Sequence, residues 1–439
     1  MLKRLGKLKS LLKYGVAAIL LAIPLYPKFP FVDVPGTFVS IRLEDFLVFV
    51  IFLIWLITIL PDWRSLFKNK VNVAILVYMF VGFVSVVSAV FLTKTVSLHI
   101  GVLHWVRRFE YFAAFFIGAS VIKSQRDLAF FSKLLVIVAI WAFAYGMGQK
   151  YLSWPIVTTQ NAEYSKGVAL RYLPGGHIPA TFAGHYDLAS YLVLATPVLF
   201  SMFFVSNKKE KIVYLFGIGA SYWLMINAVS RISIVSFMGA ITLALLLIRK
   251  YKAIPIFIVA SVLLMATSSS LITRYMRVFQ YLLTSITPTV QAAELSIGSV
   301  LGVEDRSTSI RLNVEWPRAL RAFAKNPLLG TGYSSITLAT DNDYLRLLGE
   351  TGLVGFVAFA LILIRVAIRF LKTIPLPKLD VRSAYLAGII GAFPGILLNA
   401  TFIDVFEASK FAILFWLFMG FGYAVTRWPS RAMSRDEKN

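Results

Sequence analysis

Three carboxylates sit close together late in the chain. Asp341-Asn342-Asp343-Tyr344 is followed by Glu350. Transfer of a group to a hydroxyl needs an acceptor for the hydroxyl proton, and a carboxylate can be that acceptor. The plainer reading is a helix N-cap, with Asp341 or Asp343 capping a helix that runs through Leu345 to Leu348. Ahead of the carboxylates come Arg306, Arg311, Arg318 and Arg321. A pyrophosphate needs several fixed donors, and guanidinium binds phosphate oxygens two at a time. Anionic lipid headgroups would satisfy Arg318 and Arg321 equally well.

Other candidates lie in apolar surroundings. Arg107, Arg108 and Glu110 interrupt a long apolar run, and His104, Arg107, Arg108 and Tyr111 share one helix face. Ionisable groups at that depth line a cavity or pair with one another. An Arg107–Glu110 pair and a lipid-phosphate or glycan site are both open readings. Arg231, in Ser230-Arg231, stands between two apolar runs, where an arginine can simply snorkel to headgroups. His185 and Asp187 open another run, and Asp404, Glu407 and Lys410 form a stripe at i+3 spacing that internal salt bridges would explain. The chain has no cysteine, which excludes disulfides and thiolate ligands, and its 4 histidines lack metal-ligand spacing. Neither a metal nor a cofactor is expected.

The elements that must carry these residues are membrane helices. The 439 residues are 58% hydrophobic and only 15% charged, whereas a soluble domain has about a quarter charged residues. About twelve runs approach the length that spans a hydrocarbon core as a helix. They are 14–26, 44–60, 71–92, 99–122, 128–149, 180–205, 212–228, 232–248, 253–270, 347–371, 383–402 and 409–427. Net charge is +23. In a soluble protein that balance would suggest nucleic acid. Here more than half of the 44 Lys and Arg residues fall in short segments on one side, so no nucleic-acid partner is expected. The charge bias predicts both termini to be cytoplasmic, and the first run is read as a retained helix.

Two outward segments are long, 150–179 and about 271–346, and long connections in compact proteins are usually functional. In the second, residues 311–325 have the pattern of an amphipathic helix. Arg311, Arg318, Arg321 and Lys325 fall on one side, and Leu312, Trp316, Leu320 and Phe323 on the other. Such a helix tends to lie in the membrane interface. Pro317 would kink it or mark the first turn of a shorter one. The chain therefore divides into a membrane part (1–270, about nine spans), an outer-face catalytic loop (271–346) and a second membrane part (347–439, about three spans).

The order of motifs around the long loop resembles the O-antigen ligase and Wzy-type O-antigen polymerase superfamily of bacterial membrane glycosyltransferases. The motifs are Arg306-Ser-Thr-Ser-Ile-Arg311, Trp316, Asn326-Pro-Leu-Leu-Gly-Thr-Gly332, Asp341-Asn-Asp-Tyr-Leu345 and Glu350-Thr-Gly-Leu-Val-Gly355. Ser230-Arg231, Thr181-Phe-Ala-Gly-His185 and Ile41-Arg42-Leu43-Glu44-Asp45 agree with it. The similarity runs over nearly the whole chain.

The resemblance implies an all-α integral membrane protein with a GT-C-like arrangement. It also implies metal-independent, inverting transfer of a glycan from an undecaprenyl-pyrophosphate carrier to a glycan or lipid-linked acceptor, at the outer face of the cytoplasmic (inner) membrane. By it, Arg231 and Arg311 become pyrophosphate ligands, joined as substrate-binding candidates by Arg306, Arg318, Arg321, His185, Asn342 and Arg108. The base is one of Asp341, Asp343 and Glu350. Ligases of the family have His-Asn where this chain has Asp341-Asn342, which shifts the expectation towards a polymerase. Expected partners are the lipid-linked donor, the acceptor and membrane lipids. The competing reading is a secondary transporter or flippase of lipid-linked glycan, although no internal repeat of the transporter kind is visible. A non-catalytic scaffold would need no arginine-rich outer loop.

Overall fold

Apolar runs that cannot hydrogen-bond to lipid satisfy their backbone internally, and helices do so within one segment. The computed structural model describes residues 2–26, 31–35, 40–156, 172–268, 271–272, 275–276, 309–337, 339–376 and 378–428. Each of the twelve expected runs is a helix there. They are α1 (Leu2–Leu25), α2 (Leu43–Ile59), α3 (Lys70–Phe91), α4 (Leu98–Val121), α5 (Gln125–Tyr151), α6 (His185–Val205), α7 (Lys208–Ala228), α8 (Arg231–Leu247) and α9 (Ala253–Ala266). After the short α10 (Trp316–Lys325) come α11 (Asp343–Leu371), α12 (Val381–Asn399) and α13 (Ser409–Thr426). Among the described residues, eight helices are long and apolar enough to cross a membrane. The α4 helix is of spanning length too, but carries Arg107, Arg108 and Glu110. A two-residue antiparallel pairing, Val32–Asp33 with Ser40–Ile41, precedes α2.

Helix starts follow local chemistry. Ser124 and Asp127 form a reciprocal capping box at α5, and Asp380 and Ser383 form one at α12. The core is helix on helix. α13 is buried along its whole length and packs on α4, α12 packs on α6 and α8, and α11 packs on α3 and α10. A buried polar contact ties three of these helices at one end, where Asn399 of α12 donates to Ser190 of α6 (3.1 Å) and to Ser233 of α8 (3.2 Å). The next residue, Ala400, accepts the backbone N–H of Asp343 at the start of α11 (2.9 Å). The N-termini of α6, α8 and α11 and the C-terminus of α12 therefore meet at one end of the bundle.

The expected tenth span differs in two ways. It begins at Asp343, and it is broken at Gly352, whose φ of 66° and ψ of −172° leave the helical region. The break is used by the preceding loop. Thr331 and Gly332 donate to the Gly349 and Glu350 carbonyls (3.0 and 2.7 Å), and Leu353 and Val354 donate to Pro327 and Leu328 (2.8 and 3.2 Å). A Cβ at Gly352 would fall 2.3 Å from the Leu328 carbonyl oxygen, and one at Gly330 2.4 Å from Glu350. Only glycine permits both the positive φ and this approach. The α3 helix clamps the exchange from the side: Ser85 donates to the Leu329 carbonyl (2.6 Å), and Thr95, just beyond its end, donates to Thr331 (2.5 Å).

Candidate active site

Arg311 and Asp341, thirty positions apart, make the central contact. The Arg311 guanidinium donates through Nε (3.1 Å) and Nη2 (2.6 Å) to one Asp341 oxygen. Nη2 also reaches the Tyr186 hydroxyl at 3.4 Å. Arg311 is buried. Burial opposes its charge, but Asp341 and Tyr186 outweigh that and raise its pKa. Tyr186 lies in the first turn of α6, beside His185, whose ring is 4.0 Å from the Tyr186 ring and 3.7 Å from that of His177. His185 is thus one residue from Arg311's partner.

The expected stripe of Arg311, Arg318, Arg321 and Lys325 is modified. Residues Arg311–Glu315 form a π turn, closed by the Trp316 N–H on the Arg311 carbonyl, and α10 follows with Pro317 in its first turn. A wide turn shifts the phase of everything before it. Arg311 points inward, whereas Arg318 is half-buried and Arg321 exposed. Arg306 lies outside the described residues. The other face of α10 covers α11 through buried Ala319, and Trp316 meets the Phe402 ring.

Asp341 sits at φ 48°, in the left-handed region. Its backbone is held from both sides by Asp404, which accepts the N–H groups of Thr340 (2.8 Å) and Asn342 (3.1 Å). The helix cap is Asn342 rather than either aspartate: its side chain accepts the Leu345 N–H at 3.0 Å. Asn and Asp cap equally well, and the extended backbone at Asn342 decides between them. Asp343 is buried and accepts the Phe406 N–H at 2.9 Å, tying α11 to the loop before α13.

Glu350 lies deeper. It is 1% exposed, accepts the Ser334 N–H (3.2 Å) and is ion-paired with Arg346, whose Nε lies 3.4 Å away. Arg346 also donates to Asp404 (3.2 Å) and to the Ile336 carbonyl (2.9 Å). Arg346 was legible as the residue one helical turn before Glu350, and Asp404 as an acid at the end of a span. Nothing in the sequence set their partners. Among the described residues, Asp341 is the one of the three candidate bases in direct contact with a candidate phosphate-binding arginine.

Arg108 is buried inside the bundle and pairs with Glu407, with the Tyr111 and Tyr333 rings 5.5 and 5.0 Å from its guanidinium. Arg108, Asp343, Glu407, Tyr78 and Tyr111 line a small cavity there. Arg107 pairs with Asp45 of α2 at 3.3 Å. The expected Asp404–Glu407–Lys410 stripe does not close on itself. Asp404 bonds Arg346, Glu407 bonds Arg108, and Lys410 faces Glu44 at 3.7 Å, because residues 400–408 form a loop rather than a helical turn continuous with α13. Arg231 opens α8, and its carbonyl accepts from Tyr275 (3.2 Å). It is two residues from Ser233, at the end of the bundle where α6, α8 and α11 begin.

No curated protein matches the chain. Residues 216–360 match the family model described as O-antigen ligase. The stretch runs from within α7 to within α11 and takes in Arg231, Arg311, Asp341, Asp343 and Glu350, but not Arg108 or His185. Over that region the chain is similar to the O-antigen ligase family, and its apolar helices make it a multi-pass membrane protein.

Proposed function

We propose that the protein transfers a glycan from an undecaprenyl-pyrophosphate carrier to a glycan or lipid-linked acceptor, acting more as a polymerase than as a ligase. The observation that carries this reading is the Arg311–Asp341 contact. A guanidinium held by a single carboxylate oxygen can exchange that partner for a phosphate, which offers more oxygens and more charge. The exchange would free Asp341 to take the acceptor's proton as its oxygen attacks the anomeric carbon. The new bond forms from the acceptor oxygen to that carbon, the carbon–phosphate oxygen bond breaks, and the lipid pyrophosphate leaves. A single displacement inverts the anomeric centre. Arg311, with Arg231, Arg318 and Arg321, would stabilise charge gathering on the leaving group. In this reading Asp343 and Glu350 hold the frame, metal is not required, and the 271–346 region is the catalytic loop at the outer face of the inner membrane, with both termini cytoplasmic. Polymerase is preferred because Asp341-Asn342 stands where the family's ligases carry His-Asn. The pairing of Arg107 and Arg108 with Asp45 and Glu407 supports a holding role for the α4 charges and weakens the transporter reading.

The test is a transfer assay on the full chain in lipid, supplied with lipid-linked oligosaccharide from the source cells and followed by mass spectrometry. Products that lengthen by whole repeat units, and that Arg311→Ala and Asp341→Ala abolish, are expected. Transfer to a different lipid acceptor without lengthening would make it a ligase. No transfer to any acceptor would sink the proposal.

A further inference from the structure

At the other end of the bundle, two turns carry six basic residues. Lys208, Lys209 and Lys211 open α7, directly after α6 ends at Val205, and Arg249, Lys250 and Lys252 join α8 to α9. Since α6 begins at the candidate site and has 21 residues, at 1.5 Å per residue these turns lie about 30 Å away, on the opposite face. Both turns close on neighbouring rings at the end of α6. Lys211 Nζ is 5.7 Å from the Phe203 ring centre, and Lys250 Nζ is 5.5 Å from that of Phe204. Lys208, Lys209, Arg249 and Lys252 are exposed around them. The acid in these turns, Glu210, is bound by Lys133 at 2.6 Å and does not offset the others.

The backbone of the second turn is specific. Lys250 donates to the Leu245 carbonyl and Arg249 to the Leu246 carbonyl, with Arg249 at φ 58°. This is the C-terminal capping motif whose left-handed position normally takes glycine. An arginine stands there instead, at a steric cost that glycine would not incur. From this turn α9 leads away with only Phe257 and Ser261 buried, while Ile256, Val259, Val262 and Leu263 are exposed. A compact cationic surface thus continues into an apolar flank on a helix of a membrane protein.

We infer that this junction binds a diacyl anionic phospholipid of the leaflet opposite the candidate active site. Its phosphate sits between the two cationic turns and its chains run along α9. Lysines serve phosphate as point charges, and their apolar stems can lie on the Phe203 and Phe204 rings while the ammonium groups reach the headgroup. Anionic leaflets draw such clusters. The occupant fits on both counts, since an acidic peptide would match the charge but leave the α9 flank uncovered.

The test reads lipid rather than transfer, so it stands or falls separately from the proposed reaction. The full chain is purified, exchanged into phosphatidylcholine nanodiscs doped with phosphatidylglycerol, and its retained lipid is measured by native mass spectrometry. Three proteins are compared: wild type, the triple variant Lys209→Gln/Lys250→Gln/Lys252→Gln, and a control, Lys68→Gln/Lys70→Gln, that removes charge from another turn. Preferential retention of phosphatidylglycerol is expected in the wild type and the control, with affinity about a hundredfold lower in the triple variant. Arginine at the same three positions should restore it, and inorganic phosphate should not compete. Equal retention of the two lipids, equal loss in the control, or displacement by inorganic phosphate would each overturn the assignment.

Discussion

Arg311 reaches Asp341 through two of its nitrogens but uses only one of the carboxylate oxygens, at 3.1 and 2.6 Å. The guanidinium keeps donor capacity for an anion. Arg311→Ala is therefore expected to lower transfer by about a hundredfold or more. Arg311→Lys should recover little, because a point charge does not replace a fork. Initial rates in the lipid-linked oligosaccharide assay check this. Activity of Arg311→Lys equal to wild type would count against a shaped pyrophosphate grip.

Asp404 makes no contact with Arg311, yet it fixes the residues on either side of Asp341. Replacement by Asn puts an amide where two N–H groups and Arg346 expect oxygens. Asp404→Asn should cost about 1–3 kcal/mol of stability and lower kcat more than it raises KM. Thermal unfolding in detergent and steady-state kinetics measure the two effects. Wild-type kcat in a folded variant would show that Asp341 does not depend on this frame.

Gly352→Ala places a methyl group against the Leu328 carbonyl at a φ that side chains avoid. A loss of about 2–4 kcal/mol is expected. Folded yield and melting temperature, compared with an alanine at Gly219, where nothing lies within 4 Å of the added Cβ, separate this effect from a general intolerance of helix glycines to change.

Glu407 is expected to contribute to the acid response of the loop before α13. Burial raises its pKa, but the Arg108 and Arg346 guanidiniums outweigh that and bring it down to about 2, from an ordinary value of 4.5. A carboxylate with a depressed folded pKa contributes stability that is fully present above its unfolded pKa and lost as pH falls through the folded value. The melting temperature should thus be insensitive to this group at neutral pH and fall between about pH 4.5 and 2. Glu407→Gln should melt lower at neutral pH and show a flatter acid limb. An unchanged acid limb would show that the Arg108–Glu407 pair is not the group responsible.

The helices were readable because long charge-free runs have few other ways to satisfy their backbone in lipid. The break in α11 was not, since Thr351-Gly352-Leu353 looks like any glycine within an apolar run, and its partners lie in the loop before it. Glycines 330, 332 and 352 stood out as motifs, but the sequence did not say that Gly330 and Gly352 face each other while Gly332 meets Ala89 of α3. The inward turn of Arg311 was hidden for a similar reason: a π turn carries no residue signature, and a regular period puts Arg311 with Arg318 and Arg321. The identity of the cap was undecidable among three adjacent residues that all cap well. The arginines and carboxylates of the candidate site could be named from their types. Which of them touch depended on a one-residue change of phase and on an acid some sixty positions downstream of Asp341.

The backbone exchange around Gly352 has a further consequence. The N–H groups of Thr331 and Gly332 and the carbonyls of Gly349 and Glu350 join the two ends of the segment that carries Asp341. That segment is a closed ring of chain, so the entropy of bringing its ends together is spent in folding and not at each encounter with substrate. On the proposed function, residues inside the ring can vary in type and so alter which sugar or acceptor is received. A change in their number would have to be absorbed within the ring itself. Divergence of specificity in this protein is therefore expected to proceed by substitution between residues 333 and 348, with the length of that segment held constant.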